Sequence, residues 1–89
     1  MKTAIIARLD ADLNPPSWTV IAQTALGMAQ KITLVNKPLF DVAAACAELM
    51  AKHGMNNPDG AEVMAPPEVL ELIPEHLRQV KARPKKERY

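Results

Sequence analysis

The sequence predicts an all-α fold: a small compact bundle of three main helices, then a broken C-terminal helix and a basic tail. Three observations carry that expectation. The apolar content is rich in Ala, Leu and Met, and the only aromatics are Trp18, Phe40 and Tyr89, a balance that favours helices over strands. Apolar residues recur at steps of three and four along most of the chain. Prolines stand where helices begin, at Pro15, Pro38 and Pro67, with Pro74 as a point of restart.

The first helix is expected over residues 3–13, where Ile5, Ile6, Leu9 and Leu13 keep helical spacing. A short strand through TAIIARL is the alternative, disfavoured because no second convincing strand stands ready to pair with it. Asn-Pro-Pro-Ser then breaks the chain, with Asn14 or Ser17 as a cap.

The second helix is expected over 15–35, on the stripe Trp18, Ile21, Ala25, Met28, Ile32 and Val35. The third covers 38–53. Asp41 sits in its first turns, Lys52 and His53 in its last turn complement the helix dipole, and Gly54 closes it in a left-handed conformation.

Residues 54–66, with Asn-Pro, Asp-Gly and Pro-Pro, read as a loop holding at most one turn around AEVM. A fourth helix starts at Pro67 and is kinked by Pro74, with Val69, Leu70, Ile73, Leu77 and Val80 as its apolar face. One helical domain therefore occupies 1–83, and 84–89 form a basic tail too polar to pack.

Charge is distributed unevenly. Residues 1–77 hold five Lys or Arg against nine Asp or Glu, whereas 78–89 hold six basic residues against Glu87. The basic end (Arg78, Lys81, Arg83, Lys85, Lys86, Arg88) is a candidate contact for phosphates or an acidic surface.

Chemical templates fail in turn. Cys46 lies mid-helix among alanines and reads as a small buried hydrophobe, and as the only cysteine it excludes an internal disulfide. His53 reads as a dipole complement and His76 as a solvated residue. Asp10 and Asp12 flank a helix end, and Glu68, Glu71 and Glu75 form a solvated face. Glycines at 27, 54 and 60 are too dispersed to cradle phosphate. No cofactor, no metal site and no enzymatic activity are expected.

Binding is what remains. The third helix has a polar strip only one residue wide (Asp41, Ala45, Glu48, Lys52), so it is either the central core element or a subunit interface. Ala43, Ala44, Ala47, Met50 and Ala51 on that helix, with Met55 and Met64 in the following loop, are the candidate partner-binding residues.

The expected function is a non-enzymatic, self-associating protein-interaction module, a homodimer that binds and inhibits a protein partner in the manner of a phage or mobile-element inhibitor or adaptor. The alternative is a small nucleic-acid-binding regulator with a helix-turn-helix-like pair and the basic tail. No stretch is long and apolar enough for a membrane span, and the cytoplasm is the expected location.

Overall fold

The computed structural model describes residues 1–82. It overturns the all-α expectation: the molecule is a five-stranded mixed sheet with one long helix across one face. Strands β1 (Thr3–Asp10), β2 (Ser17–Thr24) and β3 (Gly27–Val35) form an antiparallel meander. Helix α1 (Leu39–Leu49) runs on into a π-helical turn, Met50–Gly54. Strand β4 (Ala61–Met64) then pairs parallel to β1. A short helix α2 (Pro67–Leu70) and a 3-10 turn (Glu75–Leu77) lead to β5 (Gln79–Val80), antiparallel to β4. The order across the sheet is β3-β2-β1-β4-β5. Thus β3, α1 and β4 make a crossover that carries the helix over the two central strands, as a parallel connection requires.

The strands follow from period-two patterns that coexist with the helical spacing. In β1, Thr3, Ile5 and Ala7 are buried in alternation; in β2, Trp18, Val20 and Ala22 are. The register places Ile5 opposite Ala22 and Ala7 opposite Val20, with Ile32 of β3 beside Val20. These residues, with Ala61 and Val63 of β4, form the floor on which α1 lies.

The stripe from Trp18 to Val35 that predicts one helix is in fact two strands and a turn. Thr24 pairs with Gly27, whose φ of 111° is the left-handed geometry that closes a tight hairpin. The Thr24 hydroxyl donates to the Gly27 carbonyl and accepts from the Leu26 amide. Ala29 is left without a partner where the register shifts beside Ala22, a bulge that bends this end of the hairpin.

The expected first helix is β1, and the strand reading of TAIIARL is the correct one because β2 and β4 flank it. Residues 61–64, expected as a helical turn inside a loop, form a strand. Asn14–Pro15 is a cis peptide in the turn between β1 and β2, not a helix start. Beyond α1 and its five-residue π-helical continuation no helix among the described residues exceeds four residues, so the helix-turn-helix-like pair expected between 15–35 and 38–53 does not form.

Helix 38–53 is the element the sequence places best. Pro38 is extended and stands just outside the first turn, and Asp41 occupies that turn. The buried side is Val42, Ala43, Ala45, Cys46, Leu49 and Met50, a stripe just under half a turn wide, so Ala45 leaves the expected polar strip. Gly54 closes the element for a different reason than handedness. Its φ is not positive, and a β-carbon there would collide with Met50 Sδ and come within 3.0 Å of Ala61 Cβ. Glycine lets the helix end meet β4.

The expected fourth helix does not form: only the four-residue α2 from Pro67 and a 3-10 turn after Pro74 are helical there, with Val69 and Ile73 buried in the core that α1 covers. From Gln79 the chain becomes strand instead.

Candidate functional site

The sheet has one covered face and one open face. Helices α1 and α2 both pack on the side of Ile5, Val20 and Val63. On the other side the register aligns Lys31, Ile21, Ile6 and Met64 in a single row across β3, β2, β1 and β4. Ala4 stands between Gln23 and Glu62 in the adjacent row, and Met28 lies beyond Gln23. A sheet face turned to water ordinarily carries polar residues in alternation. Here the centre is aliphatic, with Ile6 and Ile21 half-buried, Met64 52% exposed and Met28 59% exposed. Arg8 and Lys31 border the row, and Lys2 pairs with Glu62 at 3.6 Å. The patch is therefore apolar, with Arg8 and Lys31 at its rim and the Lys2–Glu62 pair beside it.

A second feature is a cleft of about 470 Å³ at the hairpin end of the sheet, lined by Thr24, Leu26, Ala29, His53, Asn57 and Asp59 among others. Its side chains are tied to one another. His53 Nε2 lies 2.9 Å from Gln30 Oε1. Asn57 Nδ2 donates to Thr3 Oγ1 at 2.6 Å and to the Met1 carbonyl at 3.1 Å. The Met1 ammonium pairs with Asp59, whose own amide donates to Asn57 Oδ1 at 2.9 Å. These bonds hold the loop after the π-turn against the start of β1. The Thr3 hydroxyl accepts from Asn57 and His53 Nε2 faces Gln30, and among the described residues no hydrogen bond joins a hydroxyl of the cleft to the imidazole.

Cys46 is fully buried in α1, and burial pushes its thiol up from 9.0 to about 11. It is a packed thiol and a poor nucleophile at neutral pH. Among the described residues no three His, Cys, Asp or Glu side chains gather as metal ligands.

The structure disperses the candidate partner-binding residues. Ala43 and Met50 are core. Ala44 and Ala51 are exposed on the outer side of α1 and its π-turn, with Ala47 half-buried between them. Phe40, 69% exposed, shares that outer side. Met55 is 37% exposed just past the π-turn, and Met64 lies on the opposite side of the molecule, in the open-face row. Of the basic residues, Arg78 donates its Nε to the Ile73 carbonyl at 2.9 Å and Lys81 is exposed. Arg83, Lys85, Lys86 and Arg88 lie outside the described residues.

Comparison with protein-family models, with curated proteins and with solved structures finds no match to this chain.

Sequence reasoning singled out Met64 but missed Ile6 and Ile21 as surface residues. The available signal was adjacency: Ile5-Ile6 and Val20-Ile21 are apolar pairs, and in a strand one member of each pair must face away from the core.

Proposed function

We propose that the chain is a non-enzymatic protein-interaction module that self-associates and binds a protein partner, as small inhibitors and adaptors of phages and mobile elements do. The observation that carries this is the Ile21–Ile6–Met64 row at the centre of the open sheet face. An aliphatic centre bordered by Arg8 and Lys31 suits a partner segment with apolar side chains and acidic flanks. The tied-up cleft and the buried thiol are what such a module would have in place of reacting groups. A cytoplasmic setting belongs to the same proposal, in keeping with a single, reduced cysteine.

The test is affinity capture from native cells with the wild-type chain and with Met64→Lys, quantified by mass spectrometry. Met64 is half exposed, so lysine there leaves the fold intact while adding a charge to the row. The expected outcome is a partner lost with Met64→Lys and retained with Glu71→Lys, an exposed change on the other side of the sheet. Partners unaffected by Met64→Lys would overturn the assignment to this face.

The charge excess at the C-terminal end supports a lesser reading, contact with nucleic-acid phosphates. Duplex binding that falls steeply with salt and disappears on deletion of residues 81–89 would raise it; no binding at low salt would remove it.

A further inference from the structure

The two edges of the sheet differ. On one side β5 is a two-residue strand, too short to template anything. On the other, β3 runs for nine residues, and among the described residues only β2 pairs with it. Its free side has no proline and no inward-pointing charge, and the two blunting devices it does carry, Lys31 and the bulge at Ala29, lie toward the hairpin end and leave Ile32–Val35 open.

The register shows which groups are free. The Asn36 amide donates to the Pro16 carbonyl at 3.2 Å, and Ser17 stands opposite Val35. In an antiparallel ladder bonded and non-bonded pairs alternate. Leu34 with Trp18 and Ile32 with Val20 are therefore the bonded pairs. The main-chain N–H and C=O of Lys31, Thr33 and Val35 point outward, and all three residues are exposed. Ile32 and Leu34 turn toward α1 but are only partly buried at the rim of the core.

We propose that this edge pairs antiparallel with the same edge of a second copy, about a twofold axis at Thr33, so that two sheets become one. The inference rests on the self-association in the function proposed above and names the surface that performs it.

Self-complementarity selects the register. With the axis at Thr33, that residue faces Thr33 of the second copy, and Lys31 faces Val35, so every outward N–H and C=O at these positions finds a partner. On the helix side Ile32 faces Leu34 of the second copy and Leu34 faces Ile32, which covers the rim of both cores. An axis at Lys31 would instead set two ammonium groups directly opposite, an unfavourable cross-strand pair. Threonine opposite threonine is a favourable one. The open-face row stays free in this dimer and is doubled in width, because the two sheets are continuous.

Sedimentation velocity over a concentration series tests it, on the full chain as wild type, Thr33→Pro and Thr33→Lys. Thr33→Pro removes a donor that is free in the single copy and bonded in the dimer. Thr33→Lys sets like charges across the axis. Both are expected to weaken the dimer about tenfold or more while circular dichroism and melting stay near wild type. Should Thr33→Pro fail to fold, Thr33→Lys decides, since that side chain points to solvent.

Register is read by Thr33→Cys. On mild oxidation it should give a disulfide-linked dimer, because a directly opposed bonded pair has α-carbons about 5.5 Å apart, whereas a two-residue slip moves them beyond bridging distance. A wild-type dimer indifferent to both Thr33→Pro and Thr33→Lys overturns the edge and leaves self-association standing. A wild-type chain that stays monomeric at every concentration overturns the edge and self-association together. Partner capture through Met64 is a separate readout from either.

Discussion

Cys46 and Gly54 show how single positions in the helix are set by what lies beneath them. Cys46 fits a space on the sheet that admits a small apolar group and excludes water, so its thiol is held protonated with a pKa of about 11. A group whose folded pKa is raised adds stability that is whole below its ordinary value and lost as pH climbs through the folded one. Between about pH 9 and 11 the wild type should therefore lose stability faster than Cys46→Ala, measured as denaturant midpoints across that range. At neutral pH a thiol reagent should react only on unfolding.

At Gly54 the constraint is space. Adding a methyl group forces Met50 or Ala61 to move within a packed interior, and overpacking of this kind costs about 1–3 kcal/mol. Gly54→Ala should lower the denaturant midpoint accordingly; a neutral result would show that Met50 repacks freely. The glycine itself was legible in the sequence as a helix stop. Its reason was not, because it lies in how the Met50 side chain packs over the glycine and in the Ala61 methyl group, brought close by the crossover.

At the scale of elements, the error over residues 15–35 has a physical origin. A strand with one wet face shows a clean alternation, but β1 and β2 carry aliphatic residues on both faces. Ile21 and Met28 on the open face interleave with Trp18 and Ile32 on the core side, and together they imitate a helical stripe. The features that made the helix reading fail are thus the ones that mark the surface. Stronger local signals were present: β-branched runs in SWTVIAQT and KITLV, and a glycine directly after Ala25-Leu26. Gly27→Val should test the hairpin. A β-branched residue at φ 111° is strained by about 1–3 kcal/mol, so the midpoint should fall although the site is open and nothing there clashes. By contrast, the span of helix 38–53 was legible because Pro38 at its start, Asp41 in its first turn and a glycine at its end are local marks, although the reason for the glycine is not local.

Across the whole molecule, the first and last strands belong to one sheet. β1 is the central strand, and β5 joins it through β4. A chain connected in this way should unfold in a single step. Trp18, the only tryptophan, is buried between β1 and β3 and reports on the sheet, while far-UV circular dichroism is dominated by α1. The two transitions are expected to coincide in guanidinium; separated midpoints would show that the helix and the meander unfold independently.

Some properties were decided by the sequence alone: the span of the long helix, the helical starts marked by Pro67 and Pro74, and the apolar identity of Met64. Each depends on chemistry within a few neighbouring residues. The inert thiol was not among them, since the sheet beneath α1 is what shuts water away from Cys46. The sheet, the sidedness of the alanines and the row Ile21–Ile6–Met64 were decided only in three dimensions. A strand has no hydrogen-bond partner within itself, so whether TAIIARL is helix or strand depends on residues 17–24 and 61–64 being there to receive it. Those partners are set by the crossover of α1, and no local pattern records them.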